Sequence, residues 1–246
     1  MCFSARWVPV AILAAGMAVA RPATACDRLD ALVAAYPDAL AGHSAAELFW
    51  RDGFASPVGA AQAGGLALEH ATLADQLAEP YPAGTTSEPA GDPGRARDRA
   101  FFDRVYGDCR RGEVEPHLVT VAWLPDDGGQ RLRLTSVNGV AAALAAVSRE
   151  IALLPADVRR AAHPSAGAYL CRDARGEHAP SMHAYGAAID LNVGWSDYWR
   201  WGGGPWRNRI PAAVVAAFER HGFIWGGRWR HFDTMHFEYR PELFCR

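Results

Sequence analysis

The sequence predicts an α+β fold in which helices flank a small antiparallel sheet. Helical spacing of apolar residues dominates the first half of the chain, whereas short apolar strands and glycine-rich turns dominate the second half. With 246 residues, 50% of them hydrophobic, the chain is long enough for one sizeable core.

The N-terminal half is expected to be mainly helical. Apolar spacing predicts helices over residues 27–41 and 66–78 and a helical face over residues 101–106. Residues 80–98 are rich in Pro, Gly and Asp and too long for a tight connection. We therefore expect them to form an exposed rim or a mobile cover.

A hairpin and the clearest helix of the sequence come next. Residues 119–124 and 131–135 are typical of two strands joined by a tight turn. Asn138 is expected to cap a helix that Pro155 ends. The remaining predicted elements are a helix at 211–222 and strands at 168–172, 187–193, 223–225 and 235–239. We divide the chain into a helical N-terminal extension, residues 26–137, and a core, residues 138–246.

Residues 1–25 are typical of a secretory signal peptide. Arg6 precedes an apolar run from Val8 to Ala20, and Ala23-Thr24-Ala25 is a small-residue cleavage site. The mature chain would begin at Cys26 and be exported to the periplasm or outside the cell. No other run of about 18 apolar residues predicts a membrane span. A formal charge of -2 without a basic run argues against a nucleic-acid partner.

Four cysteines remain after such cleavage: Cys26, Cys109, Cys171 and Cys245. An even number in an exported protein predicts two disulfides, with three possible pairings. A lipid anchor on Cys26 is the alternative, and it would leave an odd cysteine.

The first candidate motif joins a loop to a strand. His183 lies three residues before Gly186, and Asp190 follows on an apolar strand. A carboxylate in such a strand is costly to bury unless it is paired or bound to a metal. For either residue alone, the favoured interpretation is a satisfied core histidine or a turn-capping aspartate.

The second candidate motif lies near the C-terminus. His236 is on the last predicted strand, Asp233 precedes it at the strand entrance, and Glu238 shares its face. Asp233 could take a proton from an attacking water and pass it to a leaving amine. Glu238 competes for this role; its alternatives are to accept a hydrogen bond from a ligand histidine or to bind a substrate amine.

Together, Ser181-x-His183-x-x-Gly186-x-Ala188-x-Asp190 and Asp233-x-x-His236 resemble the motifs of one family of zinc peptidases. This family includes D-alanyl-D-alanine carboxypeptidases and the L-alanyl-D-glutamate endopeptidases of phage endolysins. The resemblance covers residues 138–243. It implies a fold of the hedgehog/DD-peptidase type whose sheet carries a zinc ion, held by His183, Asp190 and His236.

The resemblance also implies roles for the residues around the metal. Asp233 corresponds to the general base, and Arg172 best matches the arginine that polarises the scissile carbonyl, with Arg175 as the alternative. Ser181 is expected to support the ligand loop or to bind substrate. Trp229 lies in tryptophan-rich sequence that either lines a cleft for peptide or sugar or packs as an ordinary loop.

The implied function is that of a secreted zinc metallopeptidase that hydrolyses peptidoglycan stem peptides or related D-amino-acid peptides. A D-alanyl-D-alanine carboxypeptidase is the first interpretation, and an L-alanyl-D-glutamate endopeptidase is the alternative. The carboxypeptidase needs a cation for the terminal carboxylate, for which Arg175, Arg228 and Arg230 are candidates. A non-catalytic cell-wall-binding module is the rival of another class, and the presence of Asp233 favours the enzyme.

Overall fold

The computed structural model describes residues 27–62, 68–85, 87–174, 179, 181–202 and 204–244. The predicted signal peptide, Cys26, Arg175 and Cys245 lie outside the described residues. Within the described part, the fold mixes helices with small antiparallel sheets, so the predicted α+β class is confirmed.

The α-helices of the described residues are α1 (Arg28–Ala35), α2 (Leu73–Gln76), α3 (Arg99–Tyr106), α4 (Val140–Ala152), α5 (Ala156–Arg159) and α6 (Ala212–Arg220). The strands are β1 (Leu40–His43), β2 (Glu47–Trp50), β3 (Ala55–Pro57), β4 (Leu118–Trp123), β5 (Gln130–Thr135), β6 (Ala188–Asp190), β7 (Phe223–Trp225) and β8 (His236–Tyr239). They form three antiparallel sheets in the orders β1-β2-β3, β4-β5 and β6-β8-β7.

The region between α1 and α2 forms strands where the sequence suggests mainly helix. Residues 47–50 alternate between exposed and buried side chains, with Leu48 and Trp50 in the core. Such alternation identifies a half-buried strand, but over four residues it is too short to be separated from helical spacing by pattern alone. The hairpin β4–β5 forms as predicted.

Two local predictions are wrong. Asn138 does not cap α4, because its Nδ2 donates to the carbonyl oxygen of Ala35 at 3.0 Å and its backbone takes a φ of 51°. Residues 168–172 form isolated contacts instead of a strand: Gly167 pairs with Asp190 as a single bridge, and the N–H of Leu170 donates to the carbonyl of His183. This short stretch lacks a continuous partner strand, and apolar character alone does not supply one.

The core of the C-terminal part lies between the β6-β8-β7 sheet, α6 and α4, with the hairpin β4–β5 covering α4. Phe237 of β8 stacks on Phe218 of α6, with ring centroids 4.0 Å apart. Because side chains alternate along a strand, His236 and Glu238 then face away from α6. This alternation sends the polar residues of β8 toward one site.

A disulfide joins Cys109 to Cys171, so one of the two predicted disulfides is present. It ties the N-terminal region to the segment that precedes the first motif. No helix of the described residues is both long and apolar enough to cross a membrane. The division at residues 137 and 138 stays a prediction.

Candidate metal centre and cleft

His183 lies in a 3₁₀ turn, Met182–Tyr185, directly before β6. Ser181 begins this turn, and its Oγ accepts the backbone N–H of His183 at 3.4 Å. Gly186 ends the turn at a φ of 65°, where an added Cβ would lie 2.9 Å from the backbone nitrogen of Thr135. The position therefore favours glycine, and the bend directs the chain from His183 into β6.

Asp190 and His236 are directly opposite each other in the antiparallel pair of β6 and β8. Opposite residues on one face of such a pair hold their Cβ atoms about 5 Å apart. Two residues further along, Glu238 is opposite Ala188, whose small side chain leaves room beside it. The register therefore gathers one aspartate, one histidine and one glutamate on a single face.

Three side-chain atoms converge where the turn meets the sheet. His183 Nε2, Asp190 Oδ1 and His236 Nδ1 are separated from one another by 3.0 to 3.2 Å. A tetrahedral zinc ion with bonds of ~2.0 Å places its ligands ~3.3 Å apart. These residues form a group that could hold a metal ion, and their spacing fits zinc.

The hydrogen bonds of the two imidazoles also fit a cation. His183 Nδ1 bonds to the carbonyl oxygen of Ala168, and His236 Nε2 bonds to Glu238 Oε2 at 2.9 Å. Each acceptor favours a proton on the nitrogen that faces it, which leaves a lone pair on the opposite nitrogen. Two lone pairs and one carboxylate oxygen then face a common point.

The pKa of Asp190 is lowered and that of His236 is raised, as expected where carboxylates lie beside positive charge. Burial opposes ionisation of Asp190, but the charges and hydrogen bonds of His183 and His236 hold the pKa of its carboxyl well below the usual range. Burial likewise opposes a charged His236, whereas its hydrogen bonds to Asp190 and Glu238 raise the pKa of this histidine to about 10. The cluster therefore attracts positive charge, which a metal cation can supply.

Glu238 is fully buried and does not line the cleft beside these residues. Its carboxylate bonds to His236, Arg97 and Arg240. Burial opposes its charge, yet Arg97, His236 and Arg240 lower the pKa of Glu238. The structure thus places Glu238 outside the cleft lining, and the geometry fits the alternative in which it accepts a hydrogen bond from a candidate ligand histidine.

Asp233 lies in the turn before β8 and lines the same cleft as Asp190 and His236. Its buried Oδ1 has no hydrogen-bond partner among the described residues. Burial and the nearby charge of Asp190 raise the pKa of Asp233 to about 6. A carboxyl group with that pKa, facing a cleft, is suited to take up and release protons near neutral pH.

The cleft has a volume of about 500 Å³. It is bounded by arginines, aromatic rings and the candidate metal residues, and includes Arg95, Arg97, Arg172, Ser181, Tyr198, Trp199, Trp201, Trp229, His231, Asp233 and His236. A mixed wall of rings and cations suits a peptide that carries a carboxylate.

The other predicted site residues occupy different parts of this cleft. Arg172 is an exposed residue of the lining, and its Nη1 donates to the carbonyl of Asp173 at 3.3 Å. Ser181 lines the cleft while it begins the turn of His183. Trp229 is 4% exposed and its ring lies 5.6 Å from that of His236, so most of its surface packs against the site.

Arg228 and Arg230, two of the arginines predicted to contact the terminal carboxylate of a substrate, do not line the cleft. Arg228 is buried in an ion pair with Glu219, 2.7 Å apart, and is not part of the cleft lining. Arg230 is exposed and is also outside that lining, and Arg175 lies outside the described residues. The arginines that do line the cleft are Arg95, Arg97 and Arg172.

Sequence reasoning missed the contribution of Gly91–Arg97, which we call the arginine segment. Its residues 92–97 are buried, whereas the pattern of residues 80–98 suggests an exposed rim or mobile cover. Asp92 accepts the backbone N–H and Nδ1–H of His231 at 3.0 and 2.8 Å. The alternation Arg95-Ala-Arg97 was the available signal, and it does not distinguish buried from exposed arginines.

The sequence was compared with protein families, curated proteins and solved structures. Residues 175–239 match the family model described as D-alanyl-D-alanine carboxypeptidase. No curated protein and no solved structure matches the chain. The matched residues contain His183, Asp190, Asp233 and His236, but neither Arg172 nor the arginine segment. The match supports the resemblance of these two motifs to this peptidase family.

Proposed function

We propose that the protein is an exported, zinc-dependent peptidase that removes terminal D-alanine from the stem peptides of bacterial peptidoglycan. One observation carries the proposal: three metal-compatible donors lie within 3.2 Å of one another, in a cleft that Asp233 also lines, and the buried Oδ1 of Asp233 lacks a hydrogen-bond partner among the described residues. The family match supports a hydrolase that acts on cell-wall peptides. The disulfide supports an oxidising location.

His183, Asp190 and His236 would hold the zinc ion, and their donor atoms fit it in both chemistry and spacing. When bound, zinc polarises the scissile carbonyl and activates water for attack. Asp233 would accept the proton of the attacking water and return it to the nitrogen of the leaving D-alanine. Its raised pKa makes both proton transfers accessible near neutral pH.

The arginines of the cleft would orient the substrate. Arg172, at the exposed side of the lining, would stabilise negative charge on the scissile carbonyl oxygen. Arg95 is a buried cation on the same lining and supplies a contact for the terminal carboxylate of a carboxypeptidase substrate. These roles replace the expected contact from Arg228, which Glu219 and Tyr81 hold away from the cleft.

Hydrolysis of purified muropeptides, followed by mass spectrometry, tests the proposal. We expect release of free D-alanine, loss of this activity with a chelator, and recovery with one equivalent of zinc. Asp233→Asn should retain zinc and lose activity, whereas Asp126→Asn, in the exposed turn of the hairpin, is the matched control. Activity that survives complete zinc removal would refute the metallopeptidase, and a cut between L-alanine and D-glutamate would replace the carboxypeptidase with the endopeptidase.

A further inference from the structure

The arginine segment, Gly91–Arg97, is joined to the candidate site along its length. The contacts are Arg230 N to Gly91 O at 2.6 Å, His231 N to Asp92 Oδ1 at 3.0 Å, Trp229 Nε1 to Pro93 O at 2.8 Å and Arg240 Nη1 to Gly94 O at 2.6 Å. All of these partners lie near β8 or in the turns before it. The segment itself precedes the family match by many residues. Part of the site is therefore built by a region that the family model does not cover.

The last residue of the segment reaches the hydrogen-bond partner of a candidate metal ligand. Arg97 Nη2 lies 2.5 Å from Glu238 Oε2, the same oxygen that bonds to His236 Nε2. Arg97 Nε is 3.3 Å from the other oxygen of Glu238. This bidentate contact fixes the plane of the carboxylate and, with it, the direction from which Oε2 meets the imidazole.

Arg240, the second arginine that contacts Glu238, also bonds to another carboxylate. Arg240 donates to Glu238 at 2.9 Å, but its Nε donates to Glu242 at 2.6 Å. Glu242 also accepts the hydroxyl of Tyr36 at 3.0 Å. Two arginines thus face two fully buried carboxylates, and without Arg97 a single arginine would serve both.

A buried carboxylate that loses a charged partner is strongly destabilised in its position. Without Arg97, Arg240 would be the remaining arginine partner of Glu238 among the described residues, and it bonds to the oxygen that does not contact His236. Its Oε2 would then no longer be fixed against His236 Nε2. Partners of this kind orient metal-binding histidines, and their loss typically weakens metal affinity by about 10–100-fold.

We propose that Arg97 is a positioning residue for the metal centre, acting through Glu238 on the imidazole of His236. The inference rests on the proposed function for the identity of His236 as a zinc ligand. It makes the N-terminal region a functional part of the site, since Arg97 lies 139 residues before His236 by their residue numbers.

The test is the zinc dissociation constant of the full chain, measured by competition with a chelator of known affinity. Arg97→Met should weaken zinc binding by about 10–100-fold, and Arg97→Lys, which keeps the charge but not the two-point contact, should fall between Met and wild type. Tyr36→Phe is the control: it removes one hydrogen bond from the far end of the same buried network. Its zinc affinity should stay within about twofold of wild type.

Circular dichroism and thermal unfolding of the metal-free proteins show whether each variant is folded. A folded Arg97→Met protein with wild-type zinc affinity would overturn the inference, as would an equal loss in Tyr36→Phe. If Arg97→Met does not fold, the Arg97→Lys protein is the test. Unchanged zinc affinity in that variant would likewise overturn the inference.

Because zinc affinity is measured apart from peptide hydrolysis, failure of this inference can be distinguished from failure of the proposed function. Wild-type protein that binds no zinc would overturn both. Wild-type protein that binds zinc but cuts no wall peptide would overturn the substrate, while a weaker Arg97→Met complex would still support the positioning role.

Discussion

Asp190 Oδ1 and His236 Nδ1 lie 3.0 Å apart across the β6–β8 pair, in direct register. A one-residue slip of this register would turn one of the two side chains to the opposite face of the sheet. The Phe237–Phe218 stack opposes such a slip, because it holds the alternate residue of β8 in the core. Core packing therefore sets the geometry of the candidate metal centre.

Asp190→Asn should weaken zinc binding by more than ~100-fold. Loss of a residue that only hydrogen-bonds to a metal ligand costs up to about 100-fold, whereas this substitution removes the anionic donor itself. The amide keeps the size and hydrogen-bonding shape of the side chain, so the fold should persist. Zinc stoichiometry after dialysis, with circular dichroism of the same sample, checks this. One tightly bound zinc in a folded Asp190→Asn protein would remove Asp190 from the ligand set.

Gly226→Ala should reduce kcat by roughly 10²-fold while zinc stays bound. An added Cβ would lie 2.6 Å from the carbonyl oxygen of Asp233 and 2.9 Å from the ring of Trp229, so Asp233 must shift. A displacement of about 1 Å in a catalytic group can cost this much. Gly204→Ala is the matched control, because a Cβ added there would meet no atom of the described residues within 4 Å. Equal kinetics for the two variants would contradict the role of Asp233.

Asp233 should make the metal-free protein less stable as pH rises from about 4 to 6. Its folded pKa, about 6, lies above its ordinary value of 3.8, so the folded state retains a proton that the unfolded state releases in this window. Stability relative to Asp233→Asn should therefore decrease across the window and level off above it. Denaturant unfolding of both proteins without zinc measures this difference; a difference that grows with pH would show that the pKa is lowered instead.

Reduction of the Cys109–Cys171 disulfide should destabilise the protein by about 4 kcal/mol, from the unfolded-chain entropy of a loop of this size. Cys171 adjoins Arg172, so the Cys109→Ser, Cys171→Ser double variant should also lose activity through a less well-placed arginine. Zinc affinity should change less than activity, because Leu170, next to Cys171, bonds to the backbone carbonyl of His183 and not to its imidazole. Thermal unfolding, zinc titration and kcat/KM check the three expectations, and wild-type stability would contradict the first.

The sequence alone predicted the residues of the candidate metal centre, and the structure brings them together. The motifs that contain His183, Gly186, Asp190, Asp233 and His236 resemble those of zinc peptidases, and the family match supports that resemblance. Short-range patterns also predicted the hairpin β4–β5 and the helix α4, because alternation and helical spacing are local properties of a chain.

Only the tertiary structure decided which polar residues surround that centre. Glu238 could have been a base, a substrate contact or a histidine partner, and its burial between Arg97 and Arg240 favours the histidine partner. Residues 80–98 resembled an exposed loop because they are rich in proline and glycine, yet the chain folds residues 92–97 into the interior. Contacts between residues more than a hundred positions apart depend on the assembled fold, and no local pattern encodes them.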